Sequence, residues 1–163
     1  MITIRRTQPE EINILQQLFE HGKRIMRQSG NLKQWTGSYP DEKLIRKDIE
    51  NGNSYVCIDN DKIVGAFTFI VGIDPTYLRI DGGQWMDDTL TYGTIHRLTS
   101  TEDSHGVAAA CIEWCYAQVP NLRADTHRDN HILQHILVKH GFRYCGIIYL
   151  MNGDERLAYQ KID

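Results

Sequence analysis

A chain of 163 residues has the length of one ordinary globular domain, and 41% hydrophobic with 24% charged residues is the balance of a chain folded throughout. Its net charge of −3 comes from interspersed acids and bases without a single-sign block, which argues against a polyphosphate partner such as nucleic acid. The opening Met1-Ile-Thr-Ile-Arg5-Arg6 lacks the pattern of a signal peptide, and the apolar run Val64–Val71 falls far short of the ~20 residues a membrane helix needs; a soluble, cytoplasmic protein without a membrane partner is expected.

Residues 2–7 alternate as a strand, and Pro9-Glu10-Glu11 then opens a helix whose Ile12, Leu15, Leu18, Phe19, Ile25 and Met26 recur at helical spacing until Ser29-Gly30. A loop holding Trp35 and Tyr39 follows. Asp41 begins a second helix, closed by Asn51-Gly52. Two β-rich runs, 54–58 and 62–73, flank Asp59-Asn60-Asp61, whose Asn and Asp tolerate left-handed turn conformations, so a hairpin is predicted. After a variable stretch with Trp85, residues 92–100 read as a strand and 106–119 as an Ala-rich helix. Residues 121–126 supply another strand and 130–139 an amphipathic helix stopped by Gly141. A terminal hairpin turns at Asn152-Gly153-Asp154. The cysteines at 57, 111, 115 and 145 form no close Cys-x-x-Cys pair and read as buried, reduced thiols.

This alternation indicates an α/β layered domain, and a strand, a short glycine-containing loop and a helix N-terminus in sequence make an anion site. Here those parts are Ile95–Ser100, the loop Asp103-Ser-His105-Gly106-Val107-Ala108 and the helix after it. Together with Asn121–Asn130 and the closing His140-Gly141-Phe142, they resemble the GNAT acetyltransferases over essentially the whole chain. The resemblance implies one domain over 1–163 with a mixed, mostly antiparallel central sheet of about six or seven strands and about four helices. It further implies acetyl-CoA as co-substrate without a metal, and direct transfer of the acetyl group to a primary amine of a small molecule or peptide. By the same resemblance Leu98, Thr99 and Ser100 hold the pantetheine arm, His105, Gly106, Val107, Ala108 and Ala109 wrap the pyrophosphate, and Asn130 contacts the coenzyme.

The amine must lose a proton before it attacks, and the thiolate must leave. His96 is the first candidate base, since it sits on the strand beside the expected thioester and titrates near neutrality; a histidine held for structure is the competing reading. Tyr149, with Tyr144 and Tyr159 behind it, is the candidate acid, because the helix position that carries the family's usual Tyr is Leu137. Asp103 stands where the family has Arg or Gln. These two departures keep a non-catalytic acyl-CoA-binding or sensor domain open as the alternative. Trp35 and Trp85 lie in loops that resemble the acceptor-binding region. His127, His131 and His135 are spaced by four, but His127 belongs to the strand end, so a metal site is not expected. The acceptor's identity and a homodimer both stay open.

Overall fold

The computed structural model describes residues 1–162. A 3-10 turn at Pro9–Glu11 leads into α1 (Ile12–Gln28), and α2 (Glu42–Glu50) follows, capped by the Asp41 carboxylate, which accepts from the Leu44 N–H at 2.8 Å. Strands β1 (Thr3–Arg6), β2 (Ser54–Asp59), β3 (Lys62–Val71) and β4 (Gly93–Ser100) pair antiparallel in that order. The β2–β3 turn is the predicted one: Asn60 and Asp61 take φ of 51° and 61°, the paired left-handed residues of a tight hairpin. Helix α3 (Val107–Gln118) then carries the chain across to β5 (Leu122–Thr126), which lies parallel to β4. Helix α4 (His131–Lys139) and the hairpin of β6 (Arg143–Tyr149) and β7 (Glu155–Lys161) complete a seven-stranded sheet of order β1-β2-β3-β4-β5-β7-β6. This is the mixed, mostly antiparallel α/β sheet that the sequence predicts.

Each face of the sheet buries its own core. Phe67, Phe69, Ile95, Leu122 and Ala124 pack under Cys111, Ile112 and Cys115 of α3. On the other face Leu15, Leu18 and Phe19 of α1 and Ile45 of α2 cover Val56 and Ala66. The excursion between β3 and β4 packs Tyr77, Trp85 and Tyr92 against Ile148 and Ala158 of the terminal hairpin. All four cysteines are free and buried, and burial pushes the Cys57 thiol up to about 12. Among the described residues no helix is long and apolar enough to cross a membrane.

One departure from regular geometry positions everything that follows. The β3–β4 register slips between Ala66 and Thr68, and Arg97 opposite it takes φ of 52°. This bulge bends β4 and raises its local twist. Its ladder with β5 spans only the Gly93–Leu122 and Thr94–Arg123 pairs. Beyond them the two central strands part, and the β5-facing edge of β4 has no strand partner.

Candidate active site

A cavity of about 330 Å³ lies against the end of β4; His96 does not line it. Leu98, Thr99, Ser100 and Thr101 of β4 and its loop form one side, with Val107 and Ala108 of α3 behind them. Asn130, Leu133 and Ile136 form the α4 wall, and His21, Gly22, Ile25 and Met26 of α1, with Trp35, form the opposite one. Gly22 is what lets α1 lie against β4. A Cβ there would sit 2.7 Å from Thr99 Oγ1 and 3.2 Å from the Trp35 ring, where Thr99 now donates to the Leu18 carbonyl at 3.1 Å.

At the far end of the cavity the chain turns into α3 through Gly106, at φ of 82° with nothing within 4 Å of a would-be Cβ. No side chain caps this helix, so its first-turn N–H groups and the positive end of its dipole face outward, the arrangement that takes an anion. The hydroxyl of Thr101, which also lines the cavity, is buried without a partner. Glu102 and Asp103 are exposed acids in the same loop.

Upstream of the bulge, strand alternation sends Ile95 into the α3 core and His96 to the opposite face. On β5 the same alternation buries Ala124 against α3 and leaves Asp125 facing His96's side of the sheet. His96 Nε2 lies 3.7 Å from Asp74 Oδ2. Asp125 accepts from the hydroxyl of the buried Tyr77 at 2.6 Å. Burial lowers the His96 pKa, as does Arg97, against the opposing pull of Asp125, Asp74 and Asp48, which favours the neutral imidazole. Burial and the Asp125 carboxylate push the Tyr77 hydroxyl well above the ordinary tyrosine value, so it stays a donor. Beside them Arg97 bonds Asp48 Oδ2 through Nη2 at 2.7 Å and Nε at 3.2 Å, and donates to the Tyr39 hydroxyl at 3.1 Å. Gln34 closes the other rim: its Oε1 accepts from Thr126 Oγ1 at 3.1 Å and Asn130 Nδ2 at 3.0 Å.

A GNAT-family acetyltransferase of Streptococcus agalactiae 2603 is 33% identical to this chain, with 99% of this chain and 95% of that one covered at a TM-score of 0.91. The chain belongs to the GNAT family. A GNAT acetyltransferase of Listeria monocytogenes 4b F2365 shares the fold at 20% identity, 98% and 94% coverage and a TM-score of 0.70. So does Arabidopsis thaliana Naa50, solved with the bisubstrate analogue CoA-Ac-MVNAL, at 14% identity, 98% and 97% coverage and a TM-score of 0.63. No family model matches the sequence, and no curated protein does.

Within this GNAT fold, Leu98, Thr99, Ser100, Val107, Ala108 and Asn130 all line the one cavity, Gly106 forms the turn into α3, and His105 and Ala109 flank that turn without lining the cavity. The Asn130 amide is largely engaged within the protein: its oxygen caps α4 by accepting from Leu133 N at 3.1 Å, while its nitrogen bonds Gln34. Trp35 lines the cavity and packs edge-on against Phe19. Trp85 is buried elsewhere, its indole N–H on the Tyr77 carbonyl at 3.0 Å and its ring under Arg123 at 3.9 Å; packing accounts for it fully. Tyr149 also stands outside the cavity, with its hydroxyl donated to Asp81 at 2.9 Å and its ring beneath Arg79. Leu137 is core. Among the described residues no group of three or more His, Cys, Asp or Glu is arranged to hold a metal.

Asp74, Asp125, Tyr77, Arg97 and Gln34 escape the sequence reading. The signal for Asp125 is the strand Leu-Arg-Ala-Asp-Thr itself, whose alternate polar residues require a polar face in mid-sheet. Asp74 and Gln34 sit in irregular segments and carry no such periodicity.

Proposed function

We propose that this chain transfers an acetyl group from acetyl-CoA to a primary amine by direct attack, and that residues 1–163 act as one domain. The observation that carries the reading is the parting of β4 from β5 after the Thr94–Arg123 pair, which leaves an unpaired strand edge leading to an uncapped helix N-terminus. The coenzyme fits what the chain presents: the edge at Leu98–Ser100 offers backbone partners to the pantetheine amides, the Thr101 hydroxyl awaits a partner, and Gly106 with the first turn of α3 offers N–H groups to the pyrophosphate. The plant relative solved with a CoA-based bisubstrate analogue supports coenzyme A as the ligand. Free, buried thiols suit a reducing, cytoplasmic setting.

His96 takes one proton from the acceptor ammonium before attack. The backbone N–H groups of the β4 edge face the developing oxyanion. As the N–C bond forms and the C–S bond breaks, the nitrogen's second transferable proton leaves with the sulfur, and coenzyme A departs as the thiol. Tyr149 stands outside the cavity with its hydroxyl donated to Asp81, so the proton needs no tyrosine to reach the sulfur. A non-catalytic binder is favoured by Leu137, whose place in the core removes the usual tyrosine acid, and by Asp103, an exposed acid in the loop where the family has Arg or Gln. Initial rates measured while both substrates vary decide the route: direct attack gives intersecting double-reciprocal lines, and parallel lines would indicate a covalent enzyme intermediate instead.

A further inference from the structure

A second pocket, of about 540 Å³, lies where the α1–α2 loop meets the ends of β5 and β7, and Arg156 of β7 is its buried cation. Leu157 and Tyr159 pack in the α3 core, so strand alternation turns Arg156 to the opposite face. The arginine is 5% exposed, yet its one protein partner is the carbonyl of Glu155, which accepts from Nη1 at 2.8 Å. Among the described residues it forms no ion pair. Arg97 and Arg123, with side chains 10% and 1% exposed, each meet a carboxylate, Asp48 at 2.7 Å and Asp88 at 3.0 Å. A buried guanidinium whose remaining N–H donors meet no protein acceptor is costly, and an anionic ligand that engages those donors removes the cost.

The rest of the pocket suits a carboxylate. His127 stands opposite the arginine, one step past the Thr126–Leu157 pair. Its Nδ1 accepts from the Asp129 N–H at 3.0 Å, so the ring proton belongs on Nε2 as a donor. Lys33 adds an exposed ammonium from the α1–α2 loop. The pocket's own acids are taken up elsewhere: Glu155 pairs with Arg128, Asp154 accepts from Asn152 Nδ2 at 3.2 Å, and Asp129 lies beside His127. Gln34 joins this pocket to the coenzyme cavity. Lys33 before it lines the pocket, and Trp35 after it lines the cavity. The Gln34 Oε1 accepts from the His127 N–H at 3.3 Å on one side and from Asn130 Nδ2 at 3.0 Å on the other. A ligand anchored at Arg156 is therefore a neighbour of that cavity.

We infer that the acceptor is a small amino acid whose carboxylate is held by Arg156 and His127 while its amine lies at His96. The inference rests on the acetyl-transfer reading and deepens it. His96 and Arg156 face the same side of the sheet on strands two places apart, a separation of about 10 Å at ~4.8 Å per strand. Several carbons between amine and carboxylate span what the two side chains leave open. Arg156 is a specificity residue: it selects the molecule that carries the nucleophile, and the transferred proton still goes to His96.

The test compares 4-aminobutanoate and 6-aminohexanoate with propan-1-amine and pentan-1-amine, the same amines without the carboxylate, at saturating acetyl-CoA and following thiol release. The wild-type protein is expected to favour at least one amino acid over its partner amine by about tenfold or more in kcat/KM, the order of one charge-assisted hydrogen bond. In Arg156→Gln that preference should fall about tenfold through KM, with acetyl-CoA binding by calorimetry retained as the sign of a folded variant. Should that variant fail to bind acetyl-CoA, His127→Phe takes its place with a loss in the same direction. Glutarate, which carries the carboxylate without an amine, should inhibit competitively against the amino acid; an effect that the amino acid does not relieve would make the pocket an effector site and overturn the inference. Equal use of each amino acid and its partner amine by the wild-type protein overturns it without needing any variant, and so does a preference unchanged in the folded variant. Thiol release from the alkylamines at the same rate would leave acetyl transfer standing while removing the amino acid; no release from any amine would remove both.

Discussion

At His96 burial biases the protonation of a single residue. A free imidazole is part protonated at neutral pH, and desolvation on the strand face lowers its pKa further, so the base form prevails. Activity that needs neutral His96 is present above its folded pKa and lost as pH falls through it. The acidic limb of kcat should therefore lie below the ordinary value of ~6.5. His96→Gln should lower kcat by roughly 10²–10⁴-fold while leaving acetyl-CoA affinity unchanged; a variant that keeps both rate and limb would show that the histidine is structural. Gly106 is the complementary case, a residue chosen for backbone alone. Gly106→Val puts a β-branched side chain at φ of 82°, so acetyl-CoA binding by calorimetry should weaken by about tenfold or more; equal affinity would show that the phosphates bind elsewhere.

Among the elements, β4 does the most, and its bulge is held by a buried ion pair. The side chains of Arg97 and Asp48 are 10% and 11% exposed, and Thr68 Oγ1 donates to the same carboxylate oxygen at 3.1 Å. Removing the guanidinium strands a buried carboxylate, a change that costs about 3–5 kcal/mol. Arg97→Ala should accordingly move the urea unfolding midpoint down by that stability loss with an unchanged slope. A midpoint within error of the wild type would show that Thr68 and solvent suffice for Asp48. The bulge leaves one mark in the sequence, the two successive polar residues of Ile95-His96-Arg97-Leu98 that break strand alternation, while positive φ at an arginine leaves no compositional mark. The elements themselves were legible where periodicity and turn chemistry agreed, as at Leu15, Leu18 and Phe19 of α1 and at Asn60-Asp61. Their ends shift by a residue or two where caps decide: Asp41 and Asn130 lie outside the helices they cap.

At the scale of the whole molecule, the sheet, the cavity and the helix N-terminus follow from one topological fact, a parallel β4–β5 pair inside an otherwise antiparallel sheet. Crossover through α3 makes that pair, and the bulge opens it. One wall of the cavity was legible because it is built from contiguous chain, Leu98 through Ala108. The surroundings of His96 were not, because Asp48, Asp74 and Asp125 come from elements other than its own that only the folded sheet brings together. The partners of Trp85 and Tyr149 were illegible for the same reason: an aromatic in a loop or a hairpin gives no hint that Tyr77 and Arg123, or Asp81 and Arg79, already engage it. The most direct test of acetyl transfer is to incubate the purified protein with acetyl-CoA and a panel of primary amines, following free thiol and the mass of the amine product together. Stoichiometric coenzyme A thiol and N-acetylated amine are the predicted result, and acetyl-CoA bound without release of thiol to any amine would contradict it.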